Sequence, residues 1–126
     1  MKISKNFSLS EFECNCGCTM PDFVRKNIET LAEDLQVLRD TIDKPIKITN
    51  AFRCKDHNQK VGGVKSSQHI FGRAADLQVD GMEPKEVADN VEALMKSELI
   101  KKGGVGRYST FTHVDGRGYD ARWTKK

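Results

Sequence analysis

One apolar stripe limits the fold more than any other feature of the chain. Val24, Ile28, Leu31, Leu35, Leu38 and Ile42 follow one another at steps of 4, 3, 4, 3 and 4 residues. That spacing places all six on one face of a helix over residues 21–42, with Pro21 suited to the first turn. Lys44-Pro45 breaks the helix. The stripe has too few heptads for a coiled coil, so the rest of a 126-residue chain has to cover it.

The covering elements are short. Residues 46–49 (IKIT) alternate and are β-branched, which predicts a strand, and residues 73–79 (RAADLQV) predict a second. Residues 83–100 predict a second helix, opened by Pro84, with Val87, Val91, Leu94 and Met95 as its buried stripe. Strand-like, glycine-punctuated segments close the chain at 103–108, 110–115 and 120–123. A helical turn is predicted at residues 8–13, with Ser8 as N-cap and Glu11 completing a capping box. Two main helices against a small antiparallel sheet of about four strands make an α+β domain that spans residues 1–126. The order is not a repeated βαβ, so a parallel dinucleotide-binding sheet is not expected.

Composition removes several function classes. No apolar run approaches the roughly 20 residues needed to cross a bilayer, so membrane insertion is not expected. The first nine residues (MKISKNFSL) hold no apolar core of a secretory signal, so synthesis in the cytoplasm without a signal peptide is expected. The net charge of +3 is too mild to argue for nucleic acid, and a monomer is expected. The four cysteines are Cys14, Cys16 and Cys18 in C-N-C-G-C, and Cys54. That spacing is not the C-x2-C of a zinc ribbon. Reduced structural thiols are favoured over a disulfide or a structural metal, and no chemistry is assigned to them.

The stretch from residue 50 to 72 is where chemistry is expected. It reads as irregular, yet it is too long for an idle loop and carries Phe52, Val61, Val64, Ile70 and Phe71. It holds two of the chain's three histidines, His57 and His69, and ends in Ser67-x-His69-x-x-Gly72-x-Ala74-x-Asp76. His113 and Asp115 follow on another strand. Two imidazoles and one carboxylate are the donor set of a catalytic zinc centre with an open fourth position. Such a centre lowers the pKa of water and polarises a carbonyl. The same donors also form the facial triad of iron oxygenases, which usually sit on a double-sheet jelly roll with many more strands. Taken singly, each histidine is more often a satisfied polar residue than a ligand. Asp76 and His113 point inward together only if the strand alternation agrees.

At these residues the chain resembles a family. Ser67, His69, Gly72, Ala74 and Asp76 match the S-x-H-x-x-G-x-A-x-D signature of zinc D-Ala-D-Ala carboxypeptidases and related peptidoglycan peptidases, M15-like proteins of the Hedgehog/DD-peptidase fold group. Residues 48–53 (ITNAFR), His57-Asn58, residues 61–63 (VGG), residues 104–108 (GVGRY) and residues 111–115 (FTHVD) resemble flanking pieces of the same group. Residues 12–18 and the long helix do so as well, and the likeness covers nearly the whole chain. The resemblance implies Zn2+ held by His69, Asp76 and His113. It implies Arg53 as partner of a substrate carboxylate or of developing oxyanion charge. It also implies Ser67 as a contact to substrate or to the first ligand, and His57 as a residue of the cleft or a cap of the loop.

One position departs from the pattern. Several members carry an acid three residues before the last histidine as general base, and here that residue is Thr110. Asp115 is the only acid close by in sequence. It is expected as the base, or as a group that orients a ligand histidine. The implied function is hydrolysis of peptidoglycan stem peptides or cross-bridges, in a phage or prophage enzyme of lysis or of the virion tail that acts at the cell wall. The alternative is a zinc-bearing module that binds cell-wall peptide without cleaving it.

Overall fold

The computed structural model describes residues 2–63 and 67–125. A hairpin of β1 (Lys2–Ser4) and β2 (Phe7–Ser8) opens the chain and runs into a 3-10 turn, Leu9–Phe12. Then follow α1 (Asp22–Ile42), β3 (Lys47–Asn50), the short α2 (Lys55–Lys60) and a second 3-10 turn, Gln68–Phe71. β4 (Ala74–Gln78), α3 (Pro84–Lys96), β5 (Gly104–Arg107), β6 (Thr112–Asp115) and β7 (Ala121–Thr124) complete it. The main sheet has five strands in the order β3-β4-β6-β5-β7. With two helices against it, this is the expected α+β arrangement, built on one principal sheet rather than a double-sheet jelly roll.

The two stripes do what their spacing predicts. Val24, Ile28, Leu31, Leu35 and Leu38 of α1 are buried, as are Val87, Val91, Leu94 and Met95 of α3. They close over Leu77, Val105 and Val114 of the sheet. Ile42, at the end of the stripe, is only partly buried. Glu11 accepts the backbone N–H of Ser8 at 2.7 Å, which holds the predicted turn. The N-terminal hairpin is clipped to α1 through Gln36, which exchanges two 2.7 Å hydrogen bonds with Asn6.

Four features differ from the sequence expectation, each for a local reason. α3 stops at Lys96 and not at residue 100, because the Ser97 hydroxyl donates to Ala93 O (2.8 Å) and Glu98 turns into the left-handed region at φ 61°. The stretch predicted as irregular contains α2, a helix whose residues, KDHNQK, offer no apolar periodicity to read. The β1–β2 hairpin is too short for its alternation to register. The fourth is the last strand: the sheet is antiparallel except that β7 lies parallel to β5. Antiparallel pairing of β5 with β6 brings the end of β6 beside the start of β5. The short link after Asp115 then steps over Gly104 and launches β7 along the free edge, with Ala121 opposite Gly104.

α3 is tied to the last strands by charge. Glu92 accepts from Arg122 Nε at 2.7 Å and pairs closely with Arg107. Burial pushes the Glu92 carboxyl up, but the two guanidinium groups outweigh it and hold it below its ordinary value. A carboxylate depressed in the folded state stabilises above its unfolded pKa, and that stabilisation is lost as pH falls through the lowered value. Glu92→Gln is therefore expected to lower the urea-unfolding free energy by about 0.5–1 kcal/mol at pH 7, a modest figure because the group is partly exposed. The difference from wild type is expected to shrink as the pH falls below the ordinary carboxylate range.

Candidate metal centre and cleft

Three donor atoms converge where β4, β6 and the second 3-10 turn meet. His69 Nε2 lies 3.3 Å from Asp76 Oδ1, and His113 Nδ1 lies 3.1 Å from the same oxygen. The ligand atoms of His69, Asp76 and His113 all fall within 4.8 Å of one another, and all three residues are largely buried. Strand register produces this. Asp76 in β4 stands directly opposite His113 in β6, and Ala74 stands opposite Asp115. The four therefore share one face, while Ala75, Leu77 and Val114 occupy the other and enter the core.

His69 comes from the turn. Ser67 Oγ accepts the His69 N–H at 3.2 Å, and Gly72 ends the turn in the left-handed region at φ 71°. A side chain at Gly72 would collide with Val24 of α1, its Cβ falling 2.8 Å from both Cγ1 and the carbonyl oxygen. A glycine is required there on both counts.

The unused ring nitrogens are tied down, and this fixes which nitrogen each histidine presents. His69 Nδ1 lies 2.7 Å from the Ala51 carbonyl and must donate to it, leaving Nε2 for the centre. His113 does the reverse. Its Nε2 lies 2.8 Å from Asp115 Oδ2, and Nδ1 faces Asp76. The second Asp76 oxygen accepts from Asn50 Nδ2 at 3.4 Å. Burial alone lowers the His113 pKa, but Asp115 and Asp76 outweigh it and hold the imidazole above its ordinary value. Burial likewise works against the Asp76 carboxylate, and the two histidines pull its pKa well below the usual range. The three donors favour a positive charge between them, the condition a divalent cation meets.

Asp115 is enclosed, with a side chain at 0 % exposure. Besides His113 it accepts from Arg117 Nε (2.9 Å) and Nη2 (2.7 Å) and from Gly104 N (2.8 Å). Its oxygens are fully engaged, and it does not line the cleft. Thr110 lies outside the cleft as well, its carbonyl accepting from Gln78.

The centre floors an open cleft of about 660 Å³. Arg53, Ser67, Arg117 and Lys125 line it, with an aromatic wall of Tyr108, Phe111, Tyr119 and Trp123. Tyr108 and Phe111 stack at 4.2 Å, and Trp123 donates to Tyr108 Oη at 3.0 Å. Gly106 opposite His113 leaves room for the Trp123 ring, 5.0 Å from the imidazole. Arg53 Nη2 donates to Ser67 Oγ at 3.3 Å, while Arg53 Nε is buried with no hydrogen-bond partner among the described residues. Burial lowers the Arg53 pKa, a cost the site bears without a carboxylate of its own bound to the guanidinium.

The sequence-derived donors come together, and Arg53 and Ser67 join them. His57 does not. It lies in α2, outside the described lining of the cleft, with its backbone N–H turned to Cys54 Sγ. The cap of α2 is Cys54, whose sulfur accepts that N–H, and not His57. Asn50, Ala51 O and Arg117 were not legible as site groups. Only the G-R-G after the His-Val-Asp segment signalled Arg117, and a carbonyl partner leaves no trace in a sequence.

An α+β domain with a His-Asp-His centre open to a cleft has the layout of a metal-dependent hydrolase. The Peptidase M15 family model matches residues 5–115, and the chain belongs to that family. A curated relative, the zinc D-Ala-D-Ala carboxypeptidase of Streptomyces albus G, is 31% identical in an alignment 125 residues long that takes in 92% of this chain. The chain spans about half, 49%, of that relative's length.

The geometry predicts the weight of Asp115. Asp115→Asn removes the charge that pairs with Arg117 while keeping the shape. It is expected to cost about 2–4 kcal/mol in equilibrium denaturation at pH 7. A loss under 0.5 kcal/mol would show that the buried pair does not hold this end of the sheet.

Proposed function

We propose that the protein is a zinc metallopeptidase that hydrolyses peptide bonds of peptidoglycan stem peptides or their cross-bridges, at the cell wall. The observation that carries this reading is the convergence of His69 Nε2, Asp76 Oδ1 and His113 Nδ1 on the floor of a cleft lined by cations. Two imidazoles and a carboxylate, each held by a partner on its far side, suit zinc with a position left open. Zinc at such a centre supplies Lewis acidity toward a carbonyl oxygen and makes water more acidic.

The residues of the chain do the rest. Ala51 O and Asp115 hold the two imidazoles in the tautomers that face the centre. Asp115 orients His113 in this reading and is not the base, because its oxygens are already committed. Arg53 takes the carboxylate of the peptide, or the charge that develops on the attacked carbonyl, through the Nε that has no hydrogen-bond partner among the described residues. Ser67 positions both Arg53 and the His69 turn. The aromatic wall shelters the peptide backbone from water. Specificity between carboxypeptidase and endopeptidase cleavage depends on how far the cleft extends beyond Arg53.

One observation favours a second reading, a zinc-bearing module that binds cell-wall peptide without cleaving it. Asp76 is the only carboxylate in the described lining, and it is engaged with both histidines. Mass spectrometry of muropeptides incubated with the zinc-loaded chain separates the two. Peptidase activity is expected to release terminal D-Ala or split a cross-bridge. Asp76→Ala is expected to abolish it, and Arg53→Ala to lower kcat/KM by roughly 100-fold while the cleft zinc is retained. Binding of muropeptide without any product would decide for the module, and full activity in Asp76→Ala would overturn both readings.

A further inference from the structure

The four cysteines, to which the sequence assigns no chemistry, meet at one point. The sulfurs of Cys14, Cys16, Cys18 and Cys54 all lie within 4.8 Å of one another. Cys14 and Cys16 are 3.1 Å apart, and Cys16 and Cys54 are 3.4 Å apart. Tetrahedral zinc with Zn–S near 2.3 Å sets its sulfurs roughly 3.8 Å apart, so the cluster has the dimensions of a thiolate shell. Packing accounts for only part of it: Cys14 lies in the core and Cys18 and Cys54 pack against it, but Cys16 is exposed and is still drawn in beside Cys14 and Cys54. Hydrogen bonds between thiols are weak and do not gather four of them.

The backbone around the cluster is shaped for convergence. Gly17 N–H donates to the Cys14 carbonyl at 3.0 Å, and Gly17 sits in the left-handed region at φ 79°. That turn lets three cysteines spaced by single residues present sulfur to one side. The fourth arrives from a distant segment, where Cys54 Sγ accepts the His57 N–H at 3.5 Å.

We propose that Cys14, Cys16, Cys18 and Cys54 form a second metal centre, a closed tetrathiolate zinc site with a structural role, separate from the cleft. Loading is proton exchange without electron transfer. One Zn2+ and four thiols give one zinc tetrathiolate of net charge −2 and four protons. With four sulfur ligands the site has no open position for substrate. Its effect is mechanical. Among the described residues, a backbone hydrogen bond from Phe52 N–H to Phe12 O at 3.1 Å joins its two segments. The zinc adds a second tie between them, one residue beyond Arg53.

Elemental analysis of the full chain, purified under reducing conditions with zinc supplied, is expected to find two zinc ions per chain. His69→Ala keeps one, and the double variant Cys16→Ser/Cys18→Ser keeps the other. Cobalt(II) in His69→Ala is expected to show intense near-ultraviolet thiolate-to-cobalt charge transfer, absent from the cysteine variant. This signature reports sulfur ligands alone, so it is independent of whether the cleft binds metal or cleaves peptide. Because loss of cysteines also risks misfolding, the unmodified chain is titrated with a thiol reagent. Its thiols are expected to react roughly 10-fold faster or more after chelation. One zinc per chain without a cobalt–thiolate band, thiols equally reactive with and without chelator, or cysteines found as disulfides under these conditions would each overturn the proposal.

Discussion

The antiparallel register of β4 against β6 is the constraint on which the rest of the structure depends. It sets Asp76 opposite His113 and Ala74 opposite Asp115 on one face of the sheet. With β4 fixed, a slip of β6 by one residue would turn His113 and Asp115 into the core and bring Thr112 and Val114 to the cleft face. The register is held from the other face. Ala75, Leu77 and Val114 are buried, and the Thr112 hydroxyl donates to Pro84 O at the start of α3 (2.7 Å). The apolar stripes of α1 and α3 thus decide the position of the polar residues. Burial of one face selects the alignment, and the alignment assembles the centre.

The same face carries a run of alternating charges. Arg117 pairs with Asp115, Asp115 accepts from His113, and His113 faces Asp76, which is held in turn by Asn50. Each anion lies between groups that favour its ionised form, despite burial. Gly104 leaves space for the carboxylate and guanidinium, since a Cβ there would fall 2.4 Å from Asp115 Oδ2 and 3.1 Å from Arg117 Nη2. Enclosure makes Asp115 a poor proton acceptor and a good anchor, since a carboxylate with several donors holds its charge at low pKa. Of the two roles its place in the sequence allowed, the packing favours orientation.

Much of this was legible before any coordinates. The helical stripes were readable because burial imposes a period on side chains, and Val24, Ile28, Leu31, Leu35 and Leu38 all lie in the core. His69, Asp76 and His113 were readable because donor type, glycine and small residues recur at a spacing that a turn entering a strand requires. What escaped reading has no period. α2 is polar throughout, and its start is set by a single N–H to sulfur bond. The parallel placement of β7 follows from which sheet edge is open, a property of the assembled sheet. Arg117 and Asn50 act through partners far away in sequence or on another strand. Cys54 could not be joined to the C-N-C-G-C loop by spacing, since 38 residues separate it from Cys16.

The connection from β3 to α2 shows why so long a polar stretch can be ordered in so small a domain. Its four residues each hold a different part of the site. Ala51 O holds the His69 ring, and Phe52 N–H donates to Phe12 O. Arg53 N–H donates to His69 O at 3.1 Å while its side chain enters the cleft, and Cys54 joins the sulfur cluster. An extended segment loses conformational entropy when fixed. Burial of Ala51 and Phe52 in the core offsets part of that loss. Directional bonds add to that offset, made to the loop before α1 on one side and to the histidine turn on the other. A metal at each end would act on this strip in the same sense. The cleft metal would fix His69 and, through it, Ala51 and Arg53, and the thiolate metal would fix Cys54. The arginine between them is thereby held by its neighbours and by Ser67, with its Nε left without a hydrogen-bond partner among the described residues.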